Sequence, residues 1–246
     1  MTNNPQFQRP AFKFGGRKSP LALTIGSLVI LAALFTALSG FYADWLWFKS
    51  VDFTSTWSTI LGTKIFLFVV TGLLTASIVL TNVLIAYKRR PLYVPMTIEA
   101  DNLERYRSQV EPIRRSLFIG GFIALFYFAG TSGSTLWSSW LLFKNSTDFG
   151  VKDPQFNMDI SFFAFRLPFW QTLIGWGIST LVLAIIASAV VHYLYGGIRL
   201  QVQEDRTTVA ARLQLSILLG GVVLLKAVAY WFDRYALALK ESKIIT

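Results

Sequence analysis

The stretch that decides the fold is LALTIGSLVILAALFTALSGF, residues 21–41, which contains no charged side chain. A helix crosses the hydrocarbon core of a bilayer with about 20 predominantly apolar residues, so this stretch is long enough to span a membrane. Four more apolar stretches follow, at residues 61–87, 116–143, 167–195 and 213–231. A soluble protein of 246 residues has no interior large enough to bury five such helices on all sides. The sequence therefore predicts an all-α, polytopic transmembrane bundle of about five spans.

Composition agrees with a membrane protein and excludes several other classes. Hydrophobic residues make up 54% of the chain and charged residues only 15%, compared with about 25% charged in soluble domains. The absence of cysteine excludes disulfides, a thiolate nucleophile and cysteine metal sites. The net charge of +10 comes from basic residues that lie between the apolar stretches rather than on one folded face. We therefore predict the lipid bilayer and not nucleic acid as the partner.

The segments outside the spans are short. Residues 1–20 are basic and contain proline and glycine, which is typical of a flexible cytoplasmic tail. A basic tail before an apolar stretch also describes a signal peptide, but the stretch is long and more spans follow, so an uncleaved anchor is favoured. We predict a transmembrane domain over residues 21–236 and a short extracytoplasmic tail over 237–246.

The connections differ in character. Residues 42–60 and 144–166 are interpreted as outer loops, and residues 88–115 as a basic inner connector with a surface helix near 97–111. Gly130 and Gly133 fall in the outer half of the third span, where a kink and an early exit from the membrane both remain open. The pairs Gly120-Gly121 and Gly220-Gly221 are typical of helices that pack closely in membranes.

Two independent patterns predict the orientation. With alternating spans, 14 lysine and arginine residues fall on the side of the N-terminus and eight on the other. Short cytoplasmic segments are enriched in these residues, so the N-terminus is predicted inside and the C-terminus outside. All eight tryptophans fall in the outer loops or outer halves of the spans, and a miscounted span would break that segregation.

Lys226 is the most informative charge because it lies within the fifth span. It shares a helix face with Tyr230 and Asp233. One hypothesis makes Lys226 and Asp233 an intramembrane polar pair that serves transport. The favoured interpretation is that Lys226 extends toward the outer interface and pairs with Asp233. The only histidine, His192, is interpreted as an interfacial aromatic residue, since no second histidine or carboxylate in the spans is present to exchange protons.

Charged residues outside the spans predict lipid contacts but no chemistry. Arginines that flank the second and third spans are candidate contacts for lipid headgroups, each worth about 1 kcal/mol near an anionic surface: Arg89, Arg90, Arg114 and Arg115. The outer carboxylates Asp148, Asp153 and Asp159 do not follow the ligand spacing of a calcium loop, so no metal is expected. Because no nucleotide-binding, zinc-helix or nucleophile motif is present, we expect no catalytic residues, no cofactor and no enzymatic activity.

Several segments carry a family resemblance. They are residues 44–51 (DWLWFKSV), 140–145 (WLLFKN), 149–156 (FGVKDPQF), 159–163 (DISFF), 167–169 (LPF) and 230–235 (YWFDRY). Together they resemble the N-terminal membrane region of UPF0182, a family of uncharacterised integral membrane proteins found mainly in actinobacteria. The resemblance covers residues 21–239. Its most specific part is the outer-loop motif of Asp153, Pro154, Phe156 and Asp159.

The resemblance implies a multi-pass protein of the plasma membrane, without an established activity to transfer. It also implies that similar proteins continue through further spans into a large extracytoplasmic region. A truncated reading frame, a fragment and a short form that pairs with another subunit all stay open. The sequence favours a non-enzymatic membrane module that assembles with a protein partner or with itself. The alternative is a component of a transporter or channel that uses Lys226 and Asp233.

Overall fold

The computed structural model describes residues 20–91, 98–200 and 206–237, which are almost entirely helical. Within these ranges the α-helices, in chain order, are α1 (Pro20–Ser50), α2 (Thr54–Lys88), α3 (Ile98–Ser134), α4 (Trp137–Lys144), α5 (Leu167–Leu194) and α6 (Val209–Leu237). All but α4 are long and apolar enough to cross a membrane, which gives five candidate spans in the described part of the chain. The predicted all-α class with about five spans is confirmed. The two predicted tails lie outside the described residues, except for Pro20 and Leu237.

The segment interpreted as the first outer loop is mostly helical. α1 continues to Ser50 and α2 begins at Thr54, so only a tight turn separates them. In that turn Asp52 has a φ of 63°, and the Phe53 amide donates to the Phe48 carbonyl at 2.9 Å. Hydropathy locates only the part of a helix that lies in hydrocarbon, whereas backbone hydrogen bonding carries the helix on through the interfacial aromatic residues.

α3 is one helix where the sequence predicts a connector followed by a span. It runs for 37 residues and passes through Pro112. Proline removes one helical hydrogen bond, the bond to the carbonyl of Ser108, but the flanking turns hold the helix. The segment predicted as the outer half of the third span is divided, because α3 ends at Ser134 and the short α4 follows at Trp137.

The described chain forms two units, Met1–Thr59 and Ile60–Thr246. In the second unit, α2, α3, α5 and α6 pack together around Val79, Ala184 and Leu218, with Leu125 of α3 against them. These are small and medium apolar side chains from four different helices. Because the lipid offers no hydrophobic contrast, close packing of this kind is what holds membrane helices together.

The contact between α2 and α3 depends on glycines. A Cβ atom at Gly72 would lie 2.6 Å from the Phe126 carbonyl oxygen, and one at Gly130 would lie 2.8 Å from the Phe68 carbonyl oxygen. The close approach lets the Thr71 hydroxyl donate to the Ala129 carbonyl at 3.1 Å. Gly130 and Gly133 are therefore helical residues used for packing, since a Cβ at Gly133 would overlap the side chain of Thr71.

Candidate functional site

A cluster of arginine, glutamate and tyrosine side chains lies where α2 and α5 end beside the first half of α3. We call it the basic-end cluster; its members are Tyr87, Arg90, Glu104, Arg107, Glu111, Arg114 and Tyr195. Glu111 is at its centre and accepts hydrogen bonds from the hydroxyls of Tyr87 at 2.8 Å and Tyr195 at 2.9 Å. These bonds join the ends of α2 and α5 to α3.

The three arginines of the basic-end cluster are held differently. Arg114 pairs with Glu111 at 2.8 Å. The Arg107 Nε donates to the Leu194 carbonyl at 2.5 Å, which satisfies an orphan acceptor in the last turn of α5. Arg90 lies over the ring of Tyr87, with 4.3 Å between its guanidinium carbon and the ring centroid. Its separation from Glu111 is 3.9 Å, beyond hydrogen-bond distance.

Tyr195 is fixed as a donor in this cluster. Burial, with the hydrogen bond to Glu111 as the second cause, raises the pKa of Tyr195 to about 12. The phenol therefore stays protonated at physiological pH. Beside it opens a pocket of about 380 Å³, lined by Arg90, Pro91, Glu104, Arg107, Ser108, Glu111 and Tyr195.

A second polar group is buried in the interior between α2, α5 and α6. His192 is only 1% exposed and Gln214 only 5%. The His192 Nε2 lies 3.0 Å from the Gln214 Oε1, and the Gln214 Nε2 donates to the Asn82 carbonyl at 2.9 Å. Ser188 completes the group at 3.4 Å from the same nitrogen. The His192 network thus ties three spans together.

The bonds of Gln214 determine the tautomer of His192. Because the amide nitrogen is directed at Asn82, the amide oxygen faces the imidazole, and an amide oxygen can only accept. In the neutral imidazole, Nε2 therefore carries the proton and Nδ1 is left as an acceptor. Nδ1 is buried and has no hydrogen-bond partner in the described part of the chain. A Cβ at Gly197 would lie 2.9 Å from it, so glycine lets the backbone close over this edge of the ring.

A smaller polar contact lies further along the same helices. The Trp176 Nε1 donates to the Thr75 hydroxyl at 3.2 Å, and that hydroxyl is 3.4 Å from the hydroxyl of Thr180. Thr180, Ser188 and His192 are all buried residues of α5, so they lie where this helix packs against its neighbours. Their polar atoms are directed at neighbouring side chains, which indicates structural hydrogen bonds between spans.

The loop between α4 and α5 is organised by its carboxylates. Asp159 accepts from the backbone amides of Phe149 at 3.0 Å, Gly150 at 2.9 Å and Ser161 at 2.8 Å. Asp153 accepts from the amides of Gln155 and Phe156 in the same way. The side chain of Ser161 and these three amide donors lower the pKa of Asp159 to about 2. Both carboxylates therefore fold the loop by satisfying backbone donors.

The aromatic residues of this loop pack on the end of α6. The Phe156 ring lies 4.9 Å from the ring of Tyr235, and Phe162 lies 5.4 Å from it. Trp170 at the start of α5 stacks with Phe232 at 6.4 Å. Aromatic pairs at these distances contribute about 0.5–1.5 kcal/mol beyond burial, so the loop is attached to the bundle and not free.

Lys226 and Asp233 lie on the exposed side of α6. The Lys226 Nζ is 5.3 Å from the centroid of the Tyr230 ring. Among the described residues, the ion pairs do not include one between Lys226 and Asp233. The structure therefore places Lys226 against an aromatic ring and leaves Asp233 separate from it.

Comparison with known protein families identifies the chain. The model of the uncharacterised protein family UPF0182 matches residues 21–246. The chain belongs to UPF0182. It is 46% identical to a UPF0182 protein of Streptomyces coelicolor over 92% of this chain and 23% of that protein. A UPF0182 protein of Salinispora arenicola is 45% identical over 89% of this chain and 22% of that protein.

The match is confined to part of the relatives. This chain spans about a quarter of the length of the UPF0182 proteins that it matches. A UPF0182 protein of Thermobifida fusca follows the same pattern, at 43% identity over 90% of this chain and 22% of that protein. No solved structure matches the chain. The resemblance drawn from the sequence motifs is confirmed, and the family name records no activity.

The structure brings together some of the residues singled out in this UPF0182 sequence. Arg90 and Arg114 belong to the basic-end cluster, whereas Arg89 and Arg115 are exposed beside it. Asp153, Phe156 and Asp159 act in one loop through backbone and ring contacts, and the exposed Pro154 lies in the turn between them. In the described ranges, no three histidine, aspartate or glutamate side chains are placed to hold a metal ion.

Other residues were not found from the sequence. Glu104, Arg107 and Glu111 recur with the predicted Arg114 at spacings of three and four, which places all four on one face of α3 and was a visible signal for the cluster. His192 is buried within the bundle, so its interpretation as an interfacial ring is wrong. Its partner Gln214 follows it by 22 residues, and no local pattern links the two.

Proposed function

We propose that this chain is a non-enzymatic, multi-pass module of the plasma membrane that assembles with another transmembrane helix along the exposed face of α6. In this proposal the basic-end cluster lies on the cytoplasmic side. The observation that carries it is the position of Lys226, a cation on an apolar helix face in the middle of a span.

The position of Lys226 is costly unless a charged partner pairs with it, because the contact described for its ammonium group is with the neutral ring of Tyr230. It lies three residues from Val223, the central residue of the 29-residue α6. A lysine near the centre of a span costs roughly 2.5–3.5 kcal/mol on insertion scales. Its neighbours on that face, Val223 and Tyr230, are 61% and 66% exposed. A partner helix that presents a carboxylate at this depth would pair with the ammonium group and cover the apolar residues around it.

The interior of the bundle supports a structural role. The buried polar side chains bond to one another in the His192 network and around Thr75. A transport site must open to both sides of the membrane, whereas Lys226 and Asp233 lie on the side of α6 that is exposed and faces away from the rest of the bundle. The transport alternative therefore needs the same partner helix to enclose a path, and assembly is the simpler proposal.

A substitution at Lys226 tests the assembly. The tagged chain is co-expressed with the rest of the S. coelicolor relative, and complexes are sized by native mass spectrometry in mild detergent. We expect Lys226→Met to lose the complex and Lys64→Met to keep it. Lys64 is also an exposed lysine of a span that lies over an aromatic ring, that of Trp137, but it belongs to α2 and not to the proposed α6 face. A wild-type chain that stays monomeric, or equal complexes from all three forms, would refute the proposal.

Charge reversal identifies the partner residue. Lys226→Glu should abolish assembly, and an aspartate-to-lysine or glutamate-to-lysine change in the partner helix should restore it. If no such change restores it, pairing with a carboxylate is wrong. Orientation is checked separately with an alkaline phosphatase fused after Thr246, which should be active only if the C-terminus lies outside.

A further inference from the structure

We propose that the pocket of the basic-end cluster binds the phosphate of a membrane phospholipid, with Arg90 as the residue that contacts it. This inference depends on the chain being embedded in a membrane and is independent of the assembly proposed for α6.

The pocket lies at the depth of lipid headgroups. α2 ends at Lys88 and α5 ends at Leu194, and the pocket is bounded by the residues that follow these ends, Arg90 and Tyr195. Where apolar spans end, the hydrocarbon gives way to the interfacial zone that contains the phosphates. The rings of Tyr87 and Tyr195 at this level are typical of that zone.

The net charge of the basic-end cluster is complementary to one negative charge. Its guanidinium groups are those of Arg90, Arg107 and Arg114, and its carboxylates are those of Glu104 and Glu111, which leaves one positive charge in excess. A phospholipid phosphodiester carries one negative charge. A binding site built this way neutralises the phosphate without collecting a large surplus of positive charge.

Of the two arginines that line the pocket, Arg90 has the more exposed side chain, at 40% against 15% for Arg107. Arg107 bonds the Leu194 carbonyl through Nε and Glu104 through Nη1, and its buried Nη2 has no hydrogen-bond partner in the described chain. Arg114 is committed to Glu111. The carboxylate nearest to Arg90 in the described chain is that of Glu111, at 3.9 Å, and two tyrosine hydroxyls and Arg114 already occupy its oxygens. The Arg90 side chain is 40% exposed, and its stacking on the ring of Tyr87 fixes the guanidinium plane at the pocket.

Arg107 and Ser108 complete the polar lining. The Arg107 side chain is 15% exposed, and its pairing with Glu104 involves a carboxylate that is 68% exposed. Exposed pairs of this kind contribute little, so a phosphate can take the place of Glu104. Exposed apolar residues lie on the same helices nearer the membrane interior, Leu84 at 40% and Leu117 at 51%, where acyl chains would lie. A lipid is therefore favoured over free phosphate.

The test uses matched arginine variants and a defined lipid. The detergent-purified chain is titrated with phosphatidylglycerol, and bound lipid is counted by native mass spectrometry. We expect Arg90→Gln to weaken binding about tenfold, which corresponds to about 1.4 kcal/mol. Arg89→Gln removes the same charge from the adjacent exposed residue, which does not line the pocket, and should have little effect. Arg90→Lys should restore part of the affinity, since lysine keeps the charge but not the planar fork.

Two further arms decide the source of the phosphate. Diacylglycerol, which lacks the phosphate, should not bind, and inorganic phosphate at the concentration of the lipid should not displace it. Equal weakening by Arg89→Gln and Arg90→Gln would show general attraction to the basic surface and overturn the proposal. Binding of diacylglycerol equal to that of phosphatidylglycerol, or displacement by inorganic phosphate, would overturn it as well. Circular dichroism of each variant is the control for correct folding.

Discussion

Replacing Gly130 by alanine should separate α2 from α3. The added Cβ would lie 2.8 Å from the Phe68 carbonyl oxygen and 2.9 Å from two atoms of its ring, whereas ordinary contacts begin at 3.4 Å. The carbonyl belongs to the backbone of α2, so rotating a side chain cannot relieve this overlap. The two helices must move apart locally by about 0.6 Å, the difference between 2.8 and 3.4 Å.

That movement gives the size of the effect. A gap of 0.5–1 Å loses roughly a quarter to a half of each dispersion contact across it. The same 0.6 Å would lengthen the 3.1 Å bond from Thr71 to the Ala129 carbonyl to about 3.7 Å, where it no longer counts as a hydrogen bond. Overpacking of this kind costs about 1–3 kcal/mol, and we expect a loss of about 2 kcal/mol for Gly130→Ala.

The assay is reversible unfolding of the chain in mixed micelles, followed by circular dichroism. Gly120→Ala is the matched control, because it makes the same change in the same helix and no atom lies within 4 Å of the added Cβ. It should leave stability unchanged or slightly raised, since alanine favours the helix more than glycine does. If the two variants have equal stability, α2 and α3 do not approach each other as described.

Three further outcomes are expected. Gln214→Leu should lower the free energy of unfolding by about 1–3 kcal/mol, because it removes the hydrogen-bond partner of His192 and of the Asn82 carbonyl. Ser216→Ala, on the exposed side of the same helix, should leave the free energy of unfolding unchanged. Equal unfolding midpoints for the two variants would contradict the network. Since the folded pKa of Asp159 lies near 2 and its ordinary value is 3.8, its contribution is complete above about pH 4 and is lost as the pH falls toward 2. Asp159→Asn should remove that dependence, measured by hydrogen exchange of the loop amides. Phe156→Ala should weaken the attachment of the loop to the bundle by about 1 kcal/mol, because it removes the ring contact with Tyr235. Limited proteolysis should then cut the loop faster. An unchanged cleavage rate would show that this contact does not hold the loop.

The spans could be predicted because their signal is local. An apolar stretch such as residues 21–41 needs no knowledge of its neighbours, so counting residues against the thickness of a bilayer was sufficient. Helix ends were harder, since hydropathy does not report where backbone hydrogen bonding stops. This is why α1 extends to Ser50 and α3 begins before Pro112, although both segments look like connections in the sequence.

The site could be predicted only in part because it depends on distant pairs. Arg90 and Arg114 were found as basic residues at the ends of spans, but the carboxylate that organises them, Glu111, is marked only by its helical spacing from Arg107 and Arg114 and was not singled out. The glycines show the same limit. Gly130 and Gly133 suggest a weak helix when read alone, and only the position of α2 shows that they are contact points. In the pairs predicted to pack, Gly120 and Gly220 have open space beside them, whereas a Cβ at Gly221 would lie 3.1 Å from the Leu181 side chain.

The burial of the only histidine offers a practical means of observing this protein. His192 supplies the chain's single imidazole, so one pair of ring nitrogen resonances in an isotope-labelled sample needs no assignment. The Nε2 signal should report a proton that exchanges slowly with water and the Nδ1 signal a bare lone pair. Both would change together if detergent, lipid composition or a binding partner pulled the three spans around it apart.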